Sequence, residues 1–424
     1  MKYWLFFLLA LPLIMLGLKT TAHADRAVPV VDSLELGRLN AVKKAHQMTD
    51  LRFTTLGSFY ANPTKTYKAG EECQGLVYSS VKEKHTFVGM DVSFHTFMTA
   101  LHKPRSVMYT ENVSKPPYHG RNCGAYYGTV CSGLVTYALG LNVYIKSYDF
   151  ATSDKFELVK EQSSKGVRIA DVINSGGHVQ LVTGIKKDPK SGKVVEIEIC
   201  ESVRPGCRRV ILTGKEFDKK LSKGKQKLYR YKYLKNNQYT PLTDFVAVDG
   251  EKLTPFKYNN DICTSHGDKA CFVEGDSVVL NLSKGTNSVE IYRNSVLYKV
   301  LDTDGKLDMV VKDLPYGDYK ARTVRGKKKS DYTYWIIVDA NVRINSKNNT
   351  VSYQSKNAKP VYVEFCSLSG GRPVKGVFEL TTENIKKGYV DVSRYSSTLK
   401  QKRYVKVHFE SKYGRVTNKP IVWK

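Results

Sequence analysis

A cysteine, a histidine and an acid follow one another along this chain in an order that allows each to activate the one before it. They are Cys131 in GTVCSGLVTYALGL, His178 in NSGGHVQLVTG and Glu201 in EIEICESV. A thiol is a nucleophile only as the thiolate, and a helix N-terminus and a neighbouring imidazole both favour that form. Cys131 follows a loop and opens an apolar run, Leu134, Val135, Ala138 and Leu139, which reads as a short helix closed by Gly140. Both conditions can therefore be met at this residue. The imidazole then needs a partner on its other ring nitrogen. The runs from His178 to Ile185 and from Val194 to Glu201 are β-rich and flank KKDPKSGK, where Pro189 and Gly192 mark a hairpin turn. Centring the hairpin between Pro189 and Lys190 sets His178 opposite Glu201, with side chains about 5 Å apart across the strands. A slip of one residue would present Cys200 or Ser202 instead. Glu201 shares its face with Val195, Ile197 and Ile199, where a carboxylate is costly without a partner.

The elements that must hold these groups can be read from periodicity. Asp32 to Ala45 carries Leu34, Leu36, Leu39, Val42 and Ala45 on a loosely apolar face and predicts a helix. Val88 to Leu101, with Val92, Phe94, Phe97, Met98 and Leu101, predicts a buried helix, and Thr110 to Gly128, rich in Pro, Gly, Asn and Tyr, a loop. Val210 to Tyr231 adds lysine-rich strand or helix. Beyond Tyr239 the chain breaks into short β-runs: VVLNL, VEIYR, LDMVV, YKART and YTYWIIV, then VYVEFC, VFEL, VDVS, YVKVHFE and KPIVW. Their spacing of roughly 8–12 residues, with polar turns between, predicts two all-β sandwich modules.

The chain carries 67 Lys and Arg against 40 Asp and Glu, a formal net charge of +27. Such a balance either draws a protein to anionic wall polymers or lipid headgroups or simply keeps it in solution. No nucleic-acid partner is expected, because no binding motif accompanies the charge. Lys2, the apolar run Trp4 to Leu18 and the small-x-small triplet Ala22-His23-Ala24 predict a signal peptide over residues 1–24. The chain is then exported: periplasmic, cell-surface or secreted. No later stretch approaches the roughly 20 apolar residues of a membrane span, so no transmembrane segment is expected. Eight cysteines in an exported chain favour disulfides. Cys263 and Cys271, bracketing CTSHGDKAC, and Cys200 and Cys207, bracketing CESVRPGC, are the expected pairs, while spacing does not pair Cys73, Cys123, Cys131 and Cys366. No metal-ligand spacing or nucleotide-binding loop is present, so neither metal nor cofactor is expected.

GTVCSGLVTYALGL followed by ADVINSGGHVQLVTG resembles the NlpC-type cell-wall peptidases, whose pattern is DCSGLV before a helix, then GD, a short interval and GHV opening a strand. The related CHAP amidases have the same Cys-then-His order, often with a Glu on the following strand, as ICES offers at Glu201. The likeness runs directly from about Tyr118 to Ser202. It implies an α+β papain-like (NlpC-type) catalytic domain at 25–245, which with the signal peptide and β-runs read above makes a multidomain chain: a signal peptide at 1–24, that domain, and two all-β immunoglobulin-like sandwich modules at 246–340 and 341–424. It also implies roles. Cys131 attacks an amide carbonyl, His178 takes and returns the proton, Glu201 orients the ring, and the Cys131 N–H helps to bind the oxyanion. Family members place a Tyr near the thiol, here Tyr78 in GLVYSS, whose Gly75 keeps the family spacing, or Tyr118 in PPYHG; Ser132 is retained as a further substrate-binding position. Choosing Tyr78 implies an insertion over about 81–117.

Two departures bear on specificity. Val130 stands where the family has the Asp associated with the amino end of a stem peptide, and Glu201 replaces a commoner His. The implied activity is a cysteine peptidase or amidase acting on peptidoglycan or its stem-peptide fragments, at a γ-D-glutamyl–diamino-acid bond. Two other readings stay open. One is a lipid- or acyl-active hydrolase or transferase of permuted order, with His85 or His95 as base. The other is an inert wall-binding protein.

Overall fold

A computed structural model describes residues 33–424 apart from 63–64, 80–86, 103–105, 111, 114–120, 123–126, 223, 235–261, 265–269, 283, 331, 369–372 and 424. The predicted signal peptide, His85, Tyr118 and Cys123 lie outside the described residues. Helix α1 (Ser33–Thr49) buries Ala41, Ala45 and Met48, a stripe at helical spacing that carries it one turn past the predicted end at Ala45. Helix α2 (Phe94–Leu101) is shorter than the predicted Val88–Leu101. Ser93 caps it by accepting the Thr96 N–H, and Val88 and Val92 are engaged in isolated β-bridges instead. Helix α3 (Cys131–Ala138) begins at the candidate nucleophile, and Gly140, at φ +66°, turns the chain away just after its end.

The chain then forms six antiparallel strands: β1 (Phe156–Leu158), β2 (Val172–Asn174), β3 (Val179–Lys187), β4 (Val194–Val203), β5 (Gly206–Thr213) and, after helix α4 (Gly214–Ser222), β6 (Lys227–Tyr231). Their spatial order is β5-β4-β3-β2-β6-β1. Helices cover both faces of the central hairpin. On one side α1 and α3 meet Val179, Leu181 and Cys200; on the other Phe217 and Leu221 of α4 meet Val182, Ile197 and Ile199. This double burial explains why β3 lacks a clean polar–apolar alternation.

The hairpin register differs from the expected one by two or three positions. Cys200 pairs with Leu181, Ile199 with Val182 and Glu198 with Gly184, with irregularities near Thr183 and Val195. The turn is also centred one residue later. The Asp188 carboxylate accepts the Lys190 and Ser191 N–H groups, and Gly192 closes the turn at φ +67°. Around Cys200 the offset is two, and a two-residue shift preserves which side chains share a face.

Beyond residue 261 the short β-runs form two sandwiches. The first sets Ile262–Thr264, Val278–Leu282 and Asp308–Val311 against Cys271–Val273, Thr333–Val338, Gly317–Arg325, Ser288–Arg293 and Val296–Asp302. Its core holds Leu280, Ile291 and the Tyr319 ring stacked on Trp335 at 5.5 Å. The second sets Asn341–Asn345, Thr350–Gln354 and Tyr389–Asp391 against a five-stranded sheet centred on Lys359–Cys366 and Arg403–Ser411. Cys271, Ile336 and Val338 of the first sandwich are buried in the core of the second, so the two share apolar packing. The second also touches the N-terminal region, where Val92 bridges Gly414 and Arg415 donates to the Asn142 carbonyl at 2.9 Å.

Neither expected disulfide is formed. Cys200, Cys207 and Cys271 are buried free thiols. Cys200 faces Arg209 and Cys207 faces Ser202 across β4 and β5. The two cysteines are thus diagonal neighbours, about 7–8 Å apart and too far for a bridge. The strands carrying Cys263 and Cys271 belong to opposite sheets of the first sandwich, and Cys271 Sγ instead lies 3.0 Å from Ser411 Oγ.

Gly75 shows how closely the segment before the site is fitted. At φ +85° its N–H donates to the Leu51 carbonyl, and an added Cβ would stand 1.9 Å from the Cys207 carbonyl oxygen. Gly75→Ala should therefore lower the unfolding free energy in a urea titration by about 3 kcal/mol or more, from left-handed strain plus a backbone clash.

Candidate active site

Each candidate side chain is fixed by its own stretch of backbone. The segment entering α3 is tied on two sides: Thr129 N–H donates to the Val77 carbonyl at 3.0 Å, and its carbonyl accepts from Ser79 N–H at 2.9 Å and Ser202 Oγ at 3.2 Å. Gly133, third in the CSG triplet, is required by packing, since a Cβ there would lie 2.3 Å from Thr129 Oγ1. Cys131 is thus the first residue of the helix, and its thiol lies almost wholly inside the protein. His178 is presented by the turn Ser175-Gly176-Gly177. Asn174 Oδ1 accepts the Gly176 N–H, Gly176 adopts φ +82°, and Ser175 N–H donates back to the His178 carbonyl at 3.0 Å. The turn aims the imidazole at the start of α3.

The His178 imidazole lies close enough to the Cys131 thiol for each to shift the other's titration, and its Nε2 donates to Glu201 Oε2 at 2.9 Å. With Nε2 engaged, Nδ1 is the ring nitrogen left for the sulfur. The expected trio is therefore brought together, although Glu201 does not face His178 directly. One step beyond the last paired residues, Gln180 is the strand neighbour of Glu201, and Gln180 Nε2 donates to the same Oε2 at 2.5 Å. His178 reaches the carboxylate diagonally along the same face. The other carboxylate oxygen accepts from Arg208 Nε at 2.9 Å, and Arg208 lies directly opposite Glu201 across β4 and β5.

The electrostatics follow from these contacts. Burial opposes the ionised carboxylate of Glu201, but its bonds from His178, Gln180 and Arg208 outweigh that cost and hold it down at about 2. Burial also disfavours the His178 imidazolium, yet the bonds to Cys131 and Glu201 push it up to about 9. For Cys131, burial raises the thiol; the His178 bond, the Val179 N–H and the Ser132 N–H pull the other way and leave it below the usual cysteine value. Both shifts run in the direction of a thiolate–imidazolium pair. Since folding raises His178 from 6.5 to about 9, this group's contribution to stability is complete below pH 6.5 and lost as pH rises through about 9.

Tyr144 is a neighbour that sequence reasoning missed. Its hydroxyl is 2.7 Å from Ser132 Oγ. Burial raises its phenol, the Ser132 bond opposes the rise, and Cys131, Tyr78 and Tyr148 are close enough to add to it. Tyr78, one of the two expected tyrosines, bridges Thr129, takes the Pro205 carbonyl on its N–H at 2.8 Å and lies under the Arg204 guanidinium at 5.9 Å. Tyr144, bonded to Ser132, thus lies near both the thiol and Tyr78. Gln180 and Arg208 were legible in principle, the first two residues after His178 and the second across the turn of ESVRPGCR. Val130, at the helix N-cap, makes no side-chain capping bond. His85 and the side chain of His95 lie outside the described residues.

No family model matches the chain, and no curated protein matches it. Solved structures do. The fibronectin(III)-like modules of Clostridium thermocellum CbhA are 14% identical, covering 36% of this chain and 85% of theirs at a TM-score of 0.18. A two-domain fibronectin type III segment of chicken tenascin is 12% identical over 38% of this chain and 95% of its own, with a TM-score of 0.18. The human OSCAR ligand-binding domain is 9% identical over 39% and 98%, also at 0.18. Likenesses this distant do not bear on the chemistry of Cys131. No helix among the described residues is long and apolar enough to cross a membrane.

The geometry makes Cys131 reactivity depend on His178. Iodoacetamide should alkylate Cys131 well below pH 9, and His178→Ala, which leaves burial unopposed by the imidazolium, should slow alkylation at pH 7 by about tenfold or more. Peptide mass spectrometry at Cys131, against pH, reads this directly.

Proposed function

We propose that this chain is an exported cysteine hydrolase of the papain-like, NlpC-type class that cleaves an amide bond in peptidoglycan stem peptides. The observation that carries the reading is the placing of His178 beside a thiol at a helix start, with the far side of the ring held by buried Glu201. The resemblance of CSGLV and GGHV to the family's motifs supports the choice of class.

The chemistry follows from the resting ion pair. The Cys131 thiolate adds to the amide carbonyl carbon, and the oxygen becomes an oxyanion beside the Cys131 N–H, one of the donors that a first helical turn leaves unfilled. His178 gives its Nδ1 proton to the amide nitrogen, the C–N bond breaks, and an amine leaves with a thioester on Cys131. A water then adds to the thioester as His178 takes its proton, and loss of the thiolate releases a carboxylic acid and restores the pair. Glu201 stays ionised throughout and holds the imidazolium in orientation.

Val130 offers no acid for a substrate amine, so stem-peptide recognition falls to Tyr78, Ser132 and Tyr144 around the thiol. The two sandwiches, on a strongly basic chain, fit a role in holding the enzyme on anionic wall polymer. Purified sacculi incubated with the mature chain should release new muropeptides. Cys131→Ala should release none, and Glu201→Gln should be slowed about 100-fold or more, with its basic pH limb moved below the wild-type limb near 9. Equal release by Cys131→Ala would sink the proposal.

A further inference from the structure

On the face of β4 opposite Glu201, an imidazole nitrogen of His46, a carboxylate oxygen of Glu198 and the sulfur of Cys200 lie within 4.8 Å of one another. We propose that these three residues form a binding site for a zinc-class divalent ion, which staples α1 to the central sheet.

The donor set selects the ion. One sulfur, one imidazole and one carboxylate suit a borderline-soft, four-coordinate cation such as Zn²⁺, with water at the fourth position. Ca²⁺ and Mg²⁺ need a larger set of oxygens than this site has. The donors also sit on rigid elements. His46 occupies the last turn of α1, and Glu198 and Cys200, two residues apart, share one face of β4. Access suits an ion arriving from solvent: the Cys200 thiol forms the floor, while His46 and Glu198 are 20% and 21% exposed at the mouth.

The surrounding contacts orient the ligands as supporting groups do in metal sites. Thr183 Oγ1 donates to Glu198 Oε1 at 2.8 Å and lies 3.4 Å from Cys200 Sγ. Arg209 approaches the other carboxylate oxygen, Oε2, at 3.5 Å and is held by Asp50 at 3.0 Å, so it leaves Oε1 on the side of His46 and Cys200. His46 Nε2 and Glu198 Oε1 lie 2.8 Å apart. Entry of the ion replaces that single bond. The Cys200 proton passes to solvent, and His46 binds through Nε2 with its one ring proton on Nδ1. The site shares no ligand with the Cys131–His178 pair and would occupy Cys200 without any disulfide.

Cobalt titration of the metal-stripped, reduced chain tests this. Co²⁺ should produce a thiolate-to-metal charge-transfer band and tetrahedral visible bands that saturate at a single equivalent and are displaced by Zn²⁺. The spectrum should persist in Cys131→Ser, and the charge-transfer band should vanish in Cys200→Ser. His46→Gln and Glu198→Gln, at the partly exposed mouth, should each weaken Co²⁺ affinity by about tenfold or more. They keep the test decisive if Cys200→Ser does not fold. No charge-transfer band in the wild type, a band that survives in Cys200→Ser, or one lost in Cys131→Ser would overturn the proposal.

Discussion

A carboxylate enclosed as fully as that of Glu201 can stay ionised only if its oxygens are filled by donors and its charge is balanced. Three residues meet that demand: Gln180 and His178 at one oxygen and Arg208 at the other. The order of dependence then runs outward. The ionised carboxylate stabilises the imidazolium, the imidazolium stabilises the Cys131 thiolate, and the helix start adds its backbone donors. Without the charge at position 201, the buried imidazole would lose one of the two anions that hold it protonated, the other being Cys131 itself, and the thiol would meet the desolvation that burial imposes.

Neighbouring strands of the sheet bring donors to that carboxylate. β4 carries Glu201, β3 carries Gln180 and follows directly from His178, and β5 carries Arg208, so three adjacent strands converge on one group. On the same strand, Glu198 and Cys200 point to the other face and meet α1. One strand thereby positions two chemically distinct clusters through nothing more than its two-residue alternation. Lys220 on α4 adds a further cation near Glu201, its ammonium lowered by burial and raised again by that carboxylate.

Much of this was legible in residue types and chain order, and the failures have physical causes. Cys131, His178 and Glu201 could be chosen because they occur together in the right order and in motifs resembling CSGLV and GHV; each taken alone is an ordinary structural residue. The expected register was off by two at the site, because neither the irregularities near Thr183 and Val195 nor the Asp188-capped turn leaves a hydropathy signal. The trio survived the error only because the shift was even. The disulfide guesses failed because a polar loop between two cysteines says nothing of which sheet, or which diagonal, each will occupy. Tyr144, and the grouping of His46 with Glu198, 152 positions away, and with Cys200, are products of tertiary folding alone. The runs named from VVLNL to KPIVW each fall on a strand, being short and bounded by turns, whereas Ile262–Thr264, Cys271–Val273, Val296–Asp302, Asn341–Asn345, Thr350–Gln354 and Gly414–Thr417 were not read as strands.

The central claim, that buried Glu201 keeps His178 protonated beside Cys131, is tested most directly by ¹⁵N NMR of histidine-labelled full-length chain. The His178 ring signals, identified by their loss in His178→Gln, are followed through a pH titration. The account predicts an imidazolium at neutral pH that titrates at about 9. A neutral ring at pH 7 with a midpoint near the ordinary value of 6.5 would contradict it.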